Sequence, residues 1–297
     1  MPIPETQLDT WSHQGSITQS STTYNTIKTA LEASTVPYAD KNVSVFLQGS
    51  YGNDTNIYAE SDVDIVIRLR SNFYHDLESL PDDQKAVFRT AHSDGTYPWA
   101  DFMKDVLAHL VKTYGDAVKP GDKAILILPG GGRRRTDVIV ATEFRRYHRF
   151  ESLTNESHDT GICFYRSTGE RIANYPEQHR ANCIAKHQAT DGWYKPMVRI
   201  LKNMRGKLIA DGLLEAGTAP SYYLEGLLYN VPNDKFGTNY GDSFVNCINW
   251  MLNADRSTFV CANRQYYLLR ESSPVTWRDA QCTQFLNAAG GLWKNWQ

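Results

Sequence analysis

The chain is poor in several features that would have pointed elsewhere. Its five cysteines among 297 residues, Cys163, Cys183, Cys247, Cys261 and Cys282, are odd in number and scattered. None forms a Cys-x-x-Cys or Cys/His cluster, so neither a disulfide framework nor a structural zinc is indicated. They read as small buried residues of a reducing compartment. No apolar run reaches the roughly eighteen residues of a membrane-spanning helix. The N-terminus, Met1-Pro-Ile-Pro-Glu5, lacks the basic-then-apolar pattern of a signal peptide. A cytoplasmic protein with no membrane partner is expected. Charge of one sign is also missing: the formal net charge is −2. No overall basic field argues for a long nucleic-acid partner.

What is present begins at residue 45. The stretch Val45-Phe-Leu-Gln48-Gly49-Ser50-Tyr51 ends a β-rich run, and a polar turn-rich loop leads to Ser61-Asp62-Val63-Asp64. From there Val63, Ile65, Ile67 and Leu69 alternate with Asp62, Asp64, Val66 and Arg68, the signature of a half-buried strand. Side chains two apart on a strand share a face. Asp62 and Asp64 are therefore expected side by side, opposite the apolar row. Two carboxylates held that close repel each other, and a divalent cation removes the conflict. Mg²⁺ prefers such hard oxygens and typically takes one or two carboxylates plus substrate phosphates. The Gly/Ser/Asn loop suits an anion through its free backbone N–H groups. It is not a Walker A loop, because no Gly-Lys-Ser/Thr follows. Gly49, Ser50, Asp62 and Asp64 together resemble the signature of the DNA polymerase β-like nucleotidyltransferases.

Around this motif the periodicities predict one long helix over residues 9 to 33, bent near Gly15, and helices near 84–89 and 98–112. Residues 124–128 and 136–141 read as strands joined by Pro129-Gly-Gly-Gly-Arg-Arg-Arg135, a loop suited either to solvent or to phosphate contact. The polymerase β-like plan needs a third carboxylate on a neighbouring strand. Asp137 is the one acid set in an apolar strand downstream, where a cap or edge charge is the other reading of a strand-terminal acid. A hairpin over 161–175 follows, and beyond about residue 177 the pattern turns helical. The fold expected is α+β: a nucleotidyltransferase core with an N-terminal spine helix over 1–176, and a helical lobe over 177–297. The active site would lie in the cleft of this bilobed molecule.

In the helical part, Lys195, Arg199 and Lys202 follow one another at i, i+4 and i+7 beside an apolar face, a stripe read as solvated or phosphate-binding. Ser221, after Pro220, suits either an N-cap or an anion site. Thr276 and Asp279 have capping-box spacing for the last helix.

With these positions assembled, nearly the whole chain resembles the bacterial CD-NTases, cyclic-oligonucleotide synthases of anti-phage (CBASS) signalling. These are relatives of animal cyclic GMP–AMP synthase and 2′-5′-oligoadenylate synthase. Asn174-Tyr-Pro176, Trp193-Tyr-Lys-Pro196 and Pro220-Ser-Tyr-Tyr-Leu-Glu225 look most like the clade E enzymes, several of which use pyrimidine nucleotides. The resemblance implies that Asp62, Asp64 and Asp137 are the catalytic, metal-binding carboxylates, holding two Mg²⁺ ions for which Mn²⁺ can substitute. It implies that Gln48, Gly49 and Ser50 belong to the loop gripping the donor triphosphate. Lys202 and Ser221 would hold phosphates, Tyr222 would stack on the donor base, and asparagine at 174 is associated with uracil preference. The implied reaction makes a cyclic dinucleotide from NTPs, with UTP among them (cyclic UMP–AMP or cyclic di-UMP), and releases pyrophosphate. A downstream effector would sense the product, a monomer is expected, and no nucleic-acid activator is. The alternatives are a linear nucleotidyltransferase acting on RNA, protein or a small molecule, and a catalytically silent nucleotide-binding module. Base identity, ring size and linkage stay open.

Overall fold

The structure, a computed structural model, describes residues 1–15, 17–58, 62–271 and 275–296. Ser61, quoted in the motif above, lies outside them. In chain order the elements begin with α1 (Glu5–Ser12), α2 (Thr18–Leu31), β1 (Val43–Leu47), the single turn α3 (Gly49–Gly52) and β2 (Val63–Asp76). Next come α4 (Asp82–Ala91), α5 (Trp99–Tyr114), β3 (Val118–Pro120), β4 (Ile125–Ile127), β5 (Thr136–Ser152), β6 (Asn155–Tyr165) and β7 (Arg171–Asn174). The rest is helical: α6 (Pro176–Ala189), α7 (Tyr194–Ala210), α8 (Ser221–Asn230), α9 (Tyr240–Asn253) and α10 (Asp279–Lys294). The class is α+β. No helix of the described residues is long and apolar enough to cross a membrane.

The chain forms two compact units, one of Thr18–Gln48 with Asp62–Pro176, the other of Met1–Ile17, Gly49–Ser61 and Glu177–Gln297. The sequence suggests one cut, near residue 176. The structure divides there and also groups the first helix and the segment from Gly49 with the helical part.

The first unit is built on a mixed sheet in the order β1-β2-β5-β4-β3, with β6 on β5 and β7 on β6. β1 pairs antiparallel with β2, and β2 pairs parallel with β5. Val63, Ile65, Ile67 and Leu69 are fully buried, as the alternation requires. Their opposite face is buried too, because Val66, Ile139, Ala141, Ile162 and Phe164 form a second apolar layer. Even Arg68 is covered, lying over the Phe46 ring and donating to Ser44 Oγ at 3.2 Å. β5 runs well past residue 141, to Ser152, and returns as β6, a hairpin whose far half packs Phe88 of α4 against Tyr147 and Phe150. The short apolar run Val138–Ala141 gives no hint of that length, since Glu143, Arg145 and Arg146 continue the strand as polar residues.

The helical unit is organised on α7, which buries Met197, Val198, Leu201, Met204 and Leu208 against α8 and α10. α1 packs on α7 and α9, and Glu5 accepts hydrogen bonds from the backbone N–H groups of Tyr240 (2.6 Å) and Gly241 (2.9 Å). A carboxylate there both satisfies the orphan donors and meets the positive end of the α9 dipole.

Two local expectations need correction. One helix over 9–33 is instead two, α1 ending at Ser12 and α2 beginning at Thr18. Gly15 sits so close to Ile57 that a Cβ would meet its carbonyl carbon at 2.8 Å, and its N–H donates to Asn56. The contact is between residues far apart in sequence and leaves no local signal. The capping box on the last helix does not form either. Arg278 is the N-cap, and Thr276 Oγ1 donates instead to the Arg270 carbonyl at 2.8 Å.

Candidate active site

Asp64 and Asp137 occupy paired positions in the parallel β2–β5 ladder, whose register runs unbroken from Val63↔Thr136 to Leu69↔Thr142. Paired residues in such a ladder point to one face, so the two carboxylates share the face of Val66 and Ile139. Both are half-buried. Asp62, just before β2, is exposed and lies 3.1 Å from Arg135 Nε. Burial pushes the Asp137 carboxyl above its ordinary range, the Arg135 guanidinium opposes the shift, and the like charge of Asp62 adds to it. Asp62, Asp64 and Asp137 thus gather at the end of two strands, and Asp62 and Asp137 repel each other. Their all-oxygen donor set and mutual repulsion fit a hard divalent cation.

The Gly-Arg loop is held by the protein. Arg133 lies over the Tyr114 ring at 4.5 Å, Arg134 Nε donates to Gln19 Oε1 at 3.1 Å, and Arg135 pairs with Asp62.

Gly49 turns the chain at φ +63°, a left-handed conformation that costs an L side chain and suits glycine. The carbonyls of Gly49 and Ser50 accept from Asn53 N (3.1 Å) and Thr55 N (2.9 Å), winding residues 49–55 into a compact turn. Gln48, on the sheet unit, donates its N–H to the Asp64 carbonyl at 3.0 Å, and its Oε1 is buried with no hydrogen-bond partner among the described residues.

The basic stripe of α7 is not solvated. Lys195 Nζ contacts Asp54 Oδ2 at 2.7 Å, Arg199 Nη1 donates to the Asp54 carbonyl at 2.7 Å, and Lys202 Nζ donates to the Thr55 carbonyl at 3.0 Å. Lys202 is fully buried. Helical spacing correctly puts the three cations on one face; the segment that covers this face comes from far earlier in the chain.

A second charged residue is buried beside them. Glu225 of α8 accepts from Asn53 Nδ2 (2.8 Å), Thr55 Oγ1 (2.5 Å) and His179 Nε2 (2.6 Å). Burial penalises its charge, but the hydrogen bond and charge of His179, with help from Lys202 and Thr55, hold its carboxyl below the ordinary range. Burial likewise works against a charged His179, yet Cys183 and Glu225 outweigh it and raise the imidazole to about 10. His179 stacks on Tyr222 with ring centroids 4.8 Å apart, and Asn263 Nδ2 donates to the Tyr222 hydroxyl at 2.9 Å. Ser221 is the first residue of α8 rather than its N-cap, which is Pro220, and Ser221 Oγ accepts from Arg205 Nη1 at 3.1 Å.

Among the described residues, His179, Cys183 and Glu225 bring possible ligand atoms within 4.8 Å of one another. The set does not fit a metal centre. The Glu225 oxygens already accept three hydrogen bonds, and Cys183 Sγ lies 3.3 Å from the Tyr194 hydroxyl. A cation would have to displace these bonds.

Residues 181–294 match the family model of the cGAS/DncV-like nucleotidyltransferase C-terminal helical domain. The chain is 40% identical over 302 residues to the cyclic UMP-AMP synthase of Rhodothermus marinus, covering all of this chain and 99% of that protein. It belongs to the cGAS/DncV-like nucleotidyltransferases, the CD-NTases. The solved structure of the Rhodothermus marinus CdnE c-UMP-AMP synthase with Apcpp and Upnpp superposes with a TM-score of 0.90 at 39% identity, over 99% of this chain and 98% of that one. A cyclic dipurine nucleotide synthase of Elizabethkingia meningoseptica is 34% identical, over 94% of this chain and 95% of that protein.

CD-NTases are metal-dependent nucleotidyltransferases. In this CD-NTase the sheet unit brings together Asp62, Asp64 and Asp137 and also carries Gln48 and Asn174. Asn174 ends β7 opposite Ile162, and its Oδ1 accepts from the Tyr175 N–H at 2.8 Å. The helical unit carries Gly49, Ser50, Lys202, Ser221 and Tyr222. Glu225 and His179 escaped the sequence reading. An acid inside Leu224-Glu225-Gly-Leu-Leu228 was a usable signal, of the same kind that exposes Asp137.

Proposed function

We propose that this CD-NTase joins two nucleoside triphosphates into a cyclic dinucleotide. In each of two steps a ribose 2′- or 3′-hydroxyl oxygen attacks an NTP α-phosphorus. A P–O bond forms, the α–β phosphoanhydride bond breaks, and pyrophosphate leaves with the electron pair. Asp62, Asp64 and Asp137 would hold two Mg²⁺ ions, or Mn²⁺ in their place, which lower the hydroxyl pKa and neutralise developing charge. Asp137 orients the acceptor hydroxyl and helps take up its proton. The Gly49–Ser50 turn and Ser221 grip the donor triphosphate, Tyr222 stacks on the donor base, and Lys202 holds the Thr55 carbonyl behind the turn. Little covalent chemistry falls to the protein, so positioning and electrostatics carry the rate.

The observation that carries this reading is the in-register pair Asp64↔Asp137. A silent nucleotide-binding module has no use for mutually repelling acids. The similarity to a relative named for cyclic UMP-AMP, together with Asn174, favours UTP and ATP as the substrate pair. The dipurine relative supplies the competing outcome, a product without uridine. Incubation with four NTPs and Mg²⁺, each NTP omitted in turn, tests it. The reading predicts that product is lost when UTP or ATP is left out. Unchanged product without UTP would rule uridine out, and loss only on omitting ATP or GTP would assign a purine pair instead.

A further inference from the structure

Asn53, Thr55, His179, Lys202 and Glu225 are all at least nine-tenths buried. Their hydrogen bonds meet on the two carboxylate oxygens of Glu225, except that of Lys202, which goes to the Thr55 carbonyl beside them. Such a cluster is a poor way to gain stability. A buried ion pair often returns no more than a packed apolar pair of the same volume. What it does supply is direction, since each donor fixes its partner in one orientation.

Two parts of the nucleotide site are tied to this carboxylate. The first is the turn. Asn53 and Thr55 bond Glu225 through their side chains, and through their backbone N–H groups they bond the carbonyls of Gly49 and Ser50. A shift of either side chain is passed directly to the turn. The second is the aromatic platform. Tyr222 and Glu225 stand three apart on α8, hence on the same helix face. His179 of α6 spans them, its Nε2 on Glu225 and its ring stacked on Tyr222 at an interplanar angle of 24°.

We infer that Glu225 is a positioning residue of this site, setting the triphosphate turn through Asn53 and Thr55 and the base-stacking ring through His179. The inference rests on the roles proposed above for Gly49, Ser50 and Tyr222. It assigns the two links separate consequences. Loss of the His179 link loosens the platform and weakens nucleotide binding; loss of the Thr55 link displaces the turn and slows the chemical step, for which small misplacements are costly.

The test is steady-state kinetics on full-length wild type, His179→Phe, Thr55→Val and Glu225→Gln with the four NTPs and Mg²⁺. His179→Phe keeps an aromatic face behind Tyr222 but cuts its link to Glu225, and should raise KM about fivefold to tenfold with kcat little changed. Thr55→Val keeps the volume and should lower kcat about tenfold with KM little changed. Glu225→Gln should show both effects, and adding it to His179→Phe should contribute only the kcat part, because the KM coupling is already broken. If Glu225→Gln does not fold, the split between the two single-link variants decides alone. A purely structural cluster predicts lower thermal midpoints with wild-type kcat and KM for the folded fraction, and that result overturns the inference. So does a shift of the same parameter in both variants. Absence of any product from wild type would instead overturn the function proposed above.

Discussion

Asp64 of β2 and Asp137 of β5 are nearest neighbours across a parallel ladder, with Leu126 of β4 on the far side of Asp137. No residue separates the two acids in the sheet, and Asp62 adds a third charge that Asp137 feels. Arg135, 3.1 Å from Asp62, offsets this charge in part, yet the Asp137 carboxyl stays above its ordinary range.

The first prediction concerns stability. Asp137 has a raised carboxyl pKa in the folded protein, so the native state holds its proton more tightly than the unfolded chain. That contribution is fully present below the ordinary carboxylate value and is lost as pH rises through the raised one. Above that raised value the metal-free protein therefore carries a charge that Arg135 offsets only in part. Asp137→Asn removes it and should raise the metal-free thermal midpoint by about 1–3 °C, a small gain because the site is half open to solvent. The same variant should lose all product formation. Differential scanning calorimetry in EDTA checks the first part; a lower midpoint would mean that the acid stabilises the free protein.

The second follows from the same sign. A cation competes with the proton on Asp137, so binding of Mg²⁺ or Mn²⁺ should release a proton and strengthen as pH rises through the raised pKa. Calorimetric titration with Mn²⁺ in buffers of different ionisation enthalpy measures the proton count. Affinity independent of pH between 4 and 7 (~three units spanning the carboxylate range) would remove Asp137 from the metal site.

Asp64 and Asp137 were legible from sequence because each stands at the head of a run of Val and Ile, where an edge charge was the competing reading. The strand pairing that makes them neighbours was only implied by the resemblance. The partners of Lys195 and Lys202 could not be read at all. Periodicity reports which face a residue occupies, not what covers it, and the cover here comes from Asp54 and Thr55 through contacts spanning 141 and 147 residues. Glu225 and His179 were missed for the same reason. Glu225 did carry the signal of an acid inside an apolar helix, but its partners Asn53 and Thr55 come from the distant segment after Gly49.

A third prediction tests the turn. Gly49→Ala forces an L side chain to φ +63° and should cost about 1 kcal/mol of stability. Its effect on product formation should be larger, at least tenfold, because the carbonyl that anchors Asn53 moves with it. Urea denaturation and initial rates measured together separate the two. A variant with normal activity would show that the left-handed turn is not needed for phosphate grip.

A fourth concerns Lys202. Its ammonium is wholly buried, bonded to the Thr55 carbonyl and close enough to help hold Glu225 charged. Lys202→Met keeps the length and removes the charge, leaving Glu225 with less compensation. The expected cost is about 2–4 kcal/mol in urea denaturation. A change under about 1 kcal/mol would show that the lysine is not part of the buried charge balance.

The most direct test is the product itself. Wild-type protein, Asp64→Asn and Asp137→Asn are each incubated with all four NTPs and Mg²⁺, the mixtures treated with phosphatase, and the survivors identified by mass spectrometry. The account predicts a phosphatase-resistant cyclic dinucleotide from wild type and none from either variant. A phosphatase-sensitive linear product from wild type, or the cyclic product from both variants, would contradict it.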